Sequence, residues 1–273
     1  MNFFSATTAR PPTADEHRRV LSLADRLGPH HLATRLRREA AVESKALSLW
    51  TKHLETDVWY GQAAILTACL KAIGLYWRGR RNADAVQLRH NPIELPHLPA
   101  AFDGFRILHL SDLHVENSGG ALHAVKQLLA DMPPYDVYVL TGDYRAKSIG
   151  PRDAAVAAMR DLRGHVAAPT FGVLGNHDAT AMIAGLEAAG IRLLLNETAT
   201  ITRGGARLHL AGIDDAHYFH THDLAKVAPA ADADVAVLLS HTPEIYREAA
   251  HRRRGGSHPA GRTARCGPWP RRA

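Results

Sequence analysis

The 273-residue sequence has little cysteine and no recognisable leader. Cys69 and Cys266 are its cysteines, which excludes a small secreted module held together by several disulfides. The first residues lack a basic start and an apolar run before a small-residue cleavage site, so no signal peptide is predicted and a cytoplasmic location is expected. The chain is 46% hydrophobic and 22% charged, a balance that excludes a disordered chain and a multispan membrane protein.

Residues 251–273 lack acidic side chains and contain no Leu, Ile, Val, Met or Phe. They hold seven arginines, whereas residues 105–250 hold 12 basic and 17 acidic side chains. The net charge of +6 therefore comes from a segment with almost nothing to bury, and this Arg-rich tail is predicted to be disordered. Trp269 is the one aromatic residue there that could stack on a base, so nucleic acid is not expected as a partner.

The first hundred residues carry helical patterns and no recognisable chemistry. Residues 1–57 are predicted to form an N-terminal helical extension, and residues 82–104, which contain three prolines, an extended linker. Between them, residues 58–81 predict an apolar helix whose stretch 58–77 has aromatic pairs at both ends and is followed by three arginines. Three interpretations stay open, because Lys71 makes insertion costly: a spanning helix, a helix on the inner face of the cell membrane, or a helix packed on the protein.

From Phe105 to Ala250, short apolar runs typical of strands alternate with stretches of helical length. This alternation predicts an α/β domain with largely parallel strands. Residues 200–214 are the exception and predict an antiparallel hairpin that turns at Gly204 and Gly205. In parallel sheets, functional side chains collect at the carboxyl ends of the strands.

Side chains of metal-ligand type follow four of the predicted strands. They are Asp112 and His114, then Asp143, then Asn176, His177 and Asp178, and finally His241. Carboxylates, an amide oxygen and imidazoles suit divalent Mn, Fe, Zn or Mg, and no thiolate accompanies them. We therefore expect a metal site at this edge of the sheet.

Each of these residues also has a purely structural interpretation. Asp178 could N-cap a helix beginning at Ala179, and Thr242 with Pro243 could begin a helix without any role for His241. Asp112 and Asp143 could be turn residues. Taken together, however, the repeated placement at one end of successive strands favours the metal site.

The order D-x-H, G-D, G-N-H-D and S-H resembles the calcineurin-like metallophosphoesterase family. The motifs that carry the resemblance are Asp112-Leu113-His114, Gly142-Asp143, Gly175-Asn176-His177-Asp178 and Ser240-His241. It covers about residues 101–250 and implies an α/β/β/α sandwich with the activity of a metal-dependent phosphoesterase. The segment FRILHLSDLH is similar to a membrane-associated branch of phosphodiesterases and lipid-headgroup pyrophosphatases, which implies a phosphorylated small molecule or lipid headgroup as substrate.

The resemblance also implies roles for individual residues. Asp112 and His114 would bind one ion, Asp143 would bridge two, and Asn176 and His241 would bind the second. A hydroxide bridging the two divalent ions would attack the phosphoryl group.

Three further residues take roles outside the ligand set. His177 would stabilise or protonate the leaving oxygen, with Asp178 holding its imidazole. Arg145 is a candidate for contact with the substrate phosphate, and an exposed loop arginine is the alternative.

The family pattern ends with G-H-x-H, whose two histidines would each complete one metal site, and no such motif follows His241. We hypothesise that the tail is a frameshifted or misassembled terminus, so that the domain at 105–250 is truncated at its C-terminal part. Three ligands per ion would remain, and impaired activity is expected. A catalytically impaired remnant or a metal-binding scaffold is the alternative function, and a nucleic-acid binder using the tail is the third.

Overall fold

Two four-stranded sheets form the centre of the computed structural model, which describes residues 13–53, 58–229, 233–255 and 263–265. The first sheet is parallel, with its strands in chain order: β1 (Ile107–Leu110), β2 (Val137–Leu140), β3 (Thr170–Gly172) and β4 (Ile191–Leu193). The second contains β5 (Glu197–Arg203), β6 (Ala206–Gly212), β7 (Val235–Leu239) and β8 (Thr263–Arg265). The predicted hairpin is confirmed, because β5 and β6 are antiparallel with Gly204 and Gly205 between them, while β7 and β8 continue the sheet in parallel.

Eight α-helices are described around the sheets. Along the chain they are α1 (Ala14–Leu27), α2 (Pro29–His53), α3 (Val58–Ala72), α4 (Leu75–Asp84), α5 (Gly119–Asp131), α6 (Asp153–Arg163), α7 (Ile183–Ala188) and α8 (Tyr246–Gly255). The helix predicted from Ala179 begins instead as a short 3₁₀ turn at Thr180–Met182 that leads into α7. The helix predicted from Pro243 begins at Tyr246, after a turn.

The fold is the expected α/β/β/α sandwich, with one core between the sheets and one on each outer face. Val139 of β2 and Val173, the residue after β3, meet Leu210 and Val237 of the second sheet in the core between the sheets. Strands β1 and β2 are short, largely apolar runs because both faces of the first sheet are covered. A smaller core, which includes Ile213 and Ile245, covers the outer face of the second sheet and contacts α8 through Ala249.

The N-terminal helices α1 and α2 pack on the α/β domain. Leu27 and Leu32 are buried in the same core as Leu140 of β2 and Leu186 of α7. The apolar face of this helical pair is therefore part of the layer that covers the first sheet.

The single helix predicted over residues 58–81 is divided in two. Gly74 adopts a φ of 76°, a left-handed conformation that interrupts helical hydrogen bonding between α3 and α4. Ile65, Leu66 and Trp77 are exposed by 64%, 60% and 59%. Among the described residues, none of the helices combines the length and apolarity that crossing a membrane requires.

The chain beyond Ala250 differs from the predicted disorder where it is described. Helix α8 runs on to Gly255, and Thr263–Arg265 pairs with Ala236–Leu238 as strand β8. The remainder of the predicted tail lies outside the described residues.

Candidate metal centre

Asp143 lies at the middle of the predicted site, in the loop that follows β2. Its carboxylate oxygens lie 3.7 Å from His114 Nε2, 4.0 Å from His177 Nε2 and 3.6 Å from His241 Nε2. These separations are too long for hydrogen bonds. They suit side chains that share an ion, because metal bonds from nitrogen and oxygen are each about 2 Å long.

Two groups of potential ligands share Asp143. One contains His114, Asp143 and His177, and the other contains Asp112, Asp143 and His241, with the ligand atoms of each group within 4.8 Å of one another. The structure thus brings together five of the predicted site residues. The grouping differs from the one that the resemblance implies, which pairs Asp112 with His114 and leaves His177 free of metal.

The sixth residue, Asn176, joins the site through His241. Its Oδ1 lies 3.0 Å from His241 Nε2. The other ring nitrogen of His241 faces the carbonyl oxygen of Thr141 at 2.8 Å, and a carbonyl oxygen only accepts. The Nδ1 of His241 must therefore carry a proton, so in the neutral ring Nε2 presents a lone pair toward the amide oxygen, an arrangement that a shared cation stabilises.

Backbone carbonyls orient the other two imidazoles in the same way. His114 Nδ1 donates to the carbonyl of Arg145 at 2.9 Å, and His177 Nδ1 donates to the carbonyl of Ala146 at 2.8 Å. Each neutral ring consequently turns an Nε2 lone pair toward Asp143. Fixing one ring nitrogen to free the other is the usual arrangement behind metal-binding histidines.

The backbone at the site is held in conformations that side chains rarely adopt. Asp112, His114 and Asp143 have φ values of 52°, 39° and 54°. Left-handed non-glycine residues cost of order 1 kcal/mol or more each and cluster at functional sites. Their concentration at three predicted ligands indicates that the surrounding structure enforces these positions.

Two glycines allow the loops after β2 and β3 to touch. A Cβ on Gly142, which has a φ of 91°, would lie 2.4 Å from the backbone nitrogen of Gly175. A Cβ on Gly175 would lie 2.2 Å from Asp143 Oδ1. Because no side chain fits at either position, glycine there lets Asp143 lie beside Asn176 and His177.

Asp178 has a different role from the one expected. Its buried carboxylate accepts backbone N–H groups from Asp143 at 2.7 Å, Gly175 at 2.9 Å and Tyr144 at 3.0 Å. Neither the imidazole of His177 nor a helix N-terminus is its partner; the 3₁₀ turn has Ala179 at its N-cap. Burial raises the pKa of Asp178 to about 6, in spite of the backbone donors, which lower it.

Arg145 is buried, which contradicts the alternative of an exposed loop arginine. Its side chain has no exposed area, and none of its three guanidinium nitrogens has a hydrogen-bond partner among the described residues. Burial, and then the nearby charge of Arg152, lower its pKa. An unpaired buried guanidinium is costly unless an anion compensates it.

Sequence reasoning missed the contribution of α2 to this region. Arg35 donates to the carbonyl oxygen of Asp178 at 2.9 Å, and Glu39 accepts the backbone N–H of Thr180 at 2.9 Å. In the sequence these residues are part of a helix rich in arginine and glutamate. That pattern is typical of a solvated helix face and gives no signal for such contacts.

The donor set fits a divalent metal centre. Two carboxylates, an amide oxygen and imidazole Nε2 atoms converge without an intervening lysine or arginine contact among the described residues. Mixed oxygen and nitrogen ligands of this kind suit Mn, Fe or Zn. Their convergence at the strand ends of an α/β/β/α sandwich is the arrangement expected of the metallophosphoesterase class.

The chain belongs to the calcineurin-like phosphoesterase family, whose model matches residues 105–266. This confirms the family resemblance seen in the motifs. The match continues past Ala250 through β8. The membrane-associated branch stays a prediction.

Two relatives and one solved structure illustrate the similarity. The uncharacterized metallophosphoesterase YkoQ of Bacillus subtilis is 27% identical over 190 residues, which are 65% of this chain and 68% of that protein. A transmembrane protein with metallophosphoesterase domain from Danio rerio is 26% identical over 208 residues, which are 70% of this chain and 46% of the relative. The NAD nucleotidase structure from Haemophilus influenzae has a TM-score of 0.39 and 16% identity, and the match covers 54% of this chain and 36% of that one. This chain thus spans less than half of the zebrafish relative.

Proposed function

We propose that the protein hydrolyses a phosphoester or phosphodiester of a phosphorylated small molecule or lipid headgroup. The observation that carries the proposal is the position of Asp143, whose carboxylate is common to both groups of potential ligands. Bound divalent ions would polarise the phosphoryl group and supply a nucleophile at neutral pH. The protein itself would hold the ligands in place and supply a proton to the leaving group.

In this proposal Asp143 would be a ligand common to two ions. Asp112 and His114 would complete one site, and Asn176 and His241 would complete the other. The Nε2 atoms of His114 and His241 beside the Asp143 carboxylate, and Asn176 Oδ1 beside His241, support these assignments. The pairing of Asp112 with His114 rests on the family resemblance alone, because Asp112 groups with His241 in the structure. His177, whose Nδ1 is fixed by the Ala146 carbonyl, would direct Nε2 at the leaving oxygen and would supply its proton when the ring is protonated at both nitrogens.

Arg145 is proposed as the phosphate contact. Its backbone lies at the site, since its carbonyl oxygen orients His114, and its guanidinium lacks a partner among the described residues. Because the side chain is buried, contact with phosphate requires the loop that carries it to open. Arg145→Gln is expected to raise KM more than it lowers kcat, and an unchanged KM would remove Arg145 from the substrate site.

Metal analysis of the purified chain, followed by assay of a chromogenic phosphodiester with added Mn²⁺, tests the function. We expect about two ions per chain, metal-dependent turnover, and at least about a 100-fold loss of metal affinity in Asp143→Asn. Bound metal without turnover would instead favour the alternative of an impaired remnant or a metal-binding scaffold. Absence of metal from the wild-type chain would refute the proposal.

We also propose that α3 and α4 contact the surface of an anionic membrane. Exposed apolar side chains at Ile65, Leu66 and Ile73 lie close in sequence to Arg78 and Arg80. Apolar residues beside arginines are typical of helices that lie in the plane of a bilayer interface. Such contact would bring the metal centre to lipid-headgroup substrates.

A further inference from the structure

Two side chains of helix α2 hydrogen-bond to the segment that follows the Asn176-His177 pair. Arg35 Nη2 donates to the Asp178 carbonyl at 2.9 Å. One turn further along α2, Glu39 accepts the Thr180 backbone N–H through Oε1 and the Thr180 hydroxyl through Oε2, both at 2.9 Å. Residues 178–180 are thus held at both ends by one face of α2.

The Arg35 guanidinium is itself fixed on every side. It is 1% exposed, donates from Nη1 to Asp214 Oδ1 at 2.7 Å and from Nε to Glu39 Oε1 at 2.8 Å, and stacks 3.7 Å from the ring centre of Phe219. Burial alone would lower its pKa, but the carboxylates of Asp214 and Glu39 outweigh burial and raise it. A buried guanidinium with this many partners cannot shift without breaking charged hydrogen bonds.

Asp178 connects these contacts from α2 to Asp143, the predicted bridging residue. Its carbonyl oxygen is held by Arg35, while its carboxylate accepts the backbone N–H groups of Asp143 and Tyr144. Asp143 has a left-handed φ of 54°, so this backbone needs outside support to keep its carboxylate at the centre of the site. The contacts therefore run without interruption from α2 to the metal centre.

We infer that Arg35 is a positioning residue for the metal centre and acts through Asp178 on Asp143. Helix α2 thereby helps to hold the site in place. The inference rests on the proposed function for its consequence, which is metal affinity. Its structural content, the support of residues 142–145 and 175–178 by Arg35, is independent of any metal.

Arg26 supplies the matched control. It joins α1 to the same domain with a similar set of bonds, to Glu197 and Glu187 at 2.7–2.8 Å and to the Leu193 carbonyl at 2.6 Å. These partners lie away from the residues that contact Asp143. Arg26→Met and Arg35→Met each remove one arginine that ties an N-terminal helix to the domain. Because Arg26 is 28% exposed and Arg35 is 1% exposed, exchange at the site is compared with exchange of the core amides in the same variant, which separates a local effect from a general loss of stability.

Amide hydrogen exchange of the metal-free full-length chain tests the structural half. Arg35→Met is expected to speed exchange of the Asp143, Tyr144 and Gly175 amides by about tenfold or more, whereas Arg26→Met leaves them unchanged. Equal protection of these amides in both variants would overturn the inference. If Arg35→Met does not fold, Glu39→Gln, which weakens the hold on Thr180 and on Arg35, replaces it with the same expected direction.

Titration of the same proteins with Mn²⁺ tests the consequence. We expect about tenfold weaker binding in Arg35→Met and wild-type affinity in Arg26→Met. A wild-type chain that binds no Mn²⁺ refutes the proposed function and leaves the exchange result to decide the inference. Equal affinities in both variants, with a wild-type chain that binds metal, would refute the role of Arg35.

Discussion

Asp143 and Asp178 hold each other's loops in place. The backbone N–H of Asp143 donates to the Asp178 carboxylate at 2.7 Å, while the Asp143 carboxylate accepts the backbone N–H of His177 at 2.9 Å. These reciprocal bonds join the loops after β2 and β3 across the edge of the sheet. The Asp143 carboxylate can therefore serve as a metal ligand, because the Asp178 carboxylate holds the backbone of the loop that carries Asp143.

Asp178→Asn is expected to weaken both the fold and the metal centre. An amide has a single accepting oxygen and no charge, so part of the set of N–H donors from Asp143, Tyr144 and Gly175 loses its partner. We expect the free energy of unfolding to fall by about 2 kcal/mol. Urea denaturation measures this change, and Mn²⁺ titration the accompanying loss of affinity.

Asp215→Asn is the matched control for this variant. The Asp215 carboxylate also accepts backbone N–H groups, from Tyr218 at 2.6 Å and from Phe219, but outside the two groups of potential ligands. Both bonds end on Oδ2, so the amide oxygen of Asn can keep them and only the charge is lost. The variant should lose less stability than Asp178→Asn and keep wild-type Mn²⁺ affinity. Equal metal affinity in Asp178→Asn and Asp215→Asn would contradict the special role of Asp178.

Comparison of Gly142→Ala with Gly150→Ala distinguishes the effect of a strained backbone φ from the effect of close contact between two loops. The two glycines have nearly the same φ, 91° and 88°, but an added Cβ at Gly142 meets Gly175, whereas at Gly150 it meets nothing within 4 Å. We expect Gly150→Ala to cost about 1 kcal/mol of stability and to keep metal binding. Gly142→Ala should cost several times as much and abolish metal binding, measured by thermal unfolding and Mn²⁺ titration. Similar results for the two variants would show that contact between the loops is dispensable.

The low pKa of Asp214 should make the free energy of unfolding decrease at acidic pH. Burial would raise its pKa, but Arg35 and His31 outweigh burial and hold the pKa at about 2, below the ordinary 3.8. A depressed folded-state pKa adds stability that is present above about pH 4 and is lost as the pH falls through the folded-state value. The difference corresponds to about 2 kcal/mol. Unfolding free energies measured by urea between pH 2 and 5 should therefore slope less in Asp214→Asn than in the wild type, and parallel slopes would contradict the assignment.

The sequence could predict that the candidate ligands lie at one edge of the sheet because their signal is local. Asp112, Asp143 and His241 each follow an apolar run, and parallel strands bring such positions to one edge. The partners of Asp178 and Arg35 could not be predicted in this way. Asp178 binds backbone N–H groups, and Arg35 binds a carbonyl and a carboxylate, and these groups come from loops that are far apart in the chain. The division between α3 and α4 depends on the left-handed φ of Gly74, a conformation that glycine permits without requiring it.

His177→Ala should separate binding from turnover. In the proposed mechanism the imidazole supplies a proton to the leaving oxygen, so its removal is expected to lower kcat by about 100-fold or more and to leave the number of bound ions unchanged. The geometry also offers a competing outcome, since His177 Nε2 lies 4.0 Å from Asp143 Oδ2, within one of the two groups of potential ligands. Metal analysis and steady-state kinetics on the same preparation decide between them. Loss of one ion would make His177 a ligand.

The exposed apolar residues of α3 and α4 should support binding to anionic vesicles. Leu66 is 60% exposed and Trp77 is 59% exposed, and a combined Leu66→Asp and Trp77→Asp variant places two charges where insertion into the interface would occur. We expect the wild type to co-sediment with phosphatidylserine-containing vesicles at low salt and the variant to remain in the supernatant. Leu21→Asp, at a helical leucine of α1 that is 45% exposed, controls for one of the two added charges and should bind like the wild type. Equal binding of all three proteins would show that the attraction is purely electrostatic and that α3 and α4 do not insert.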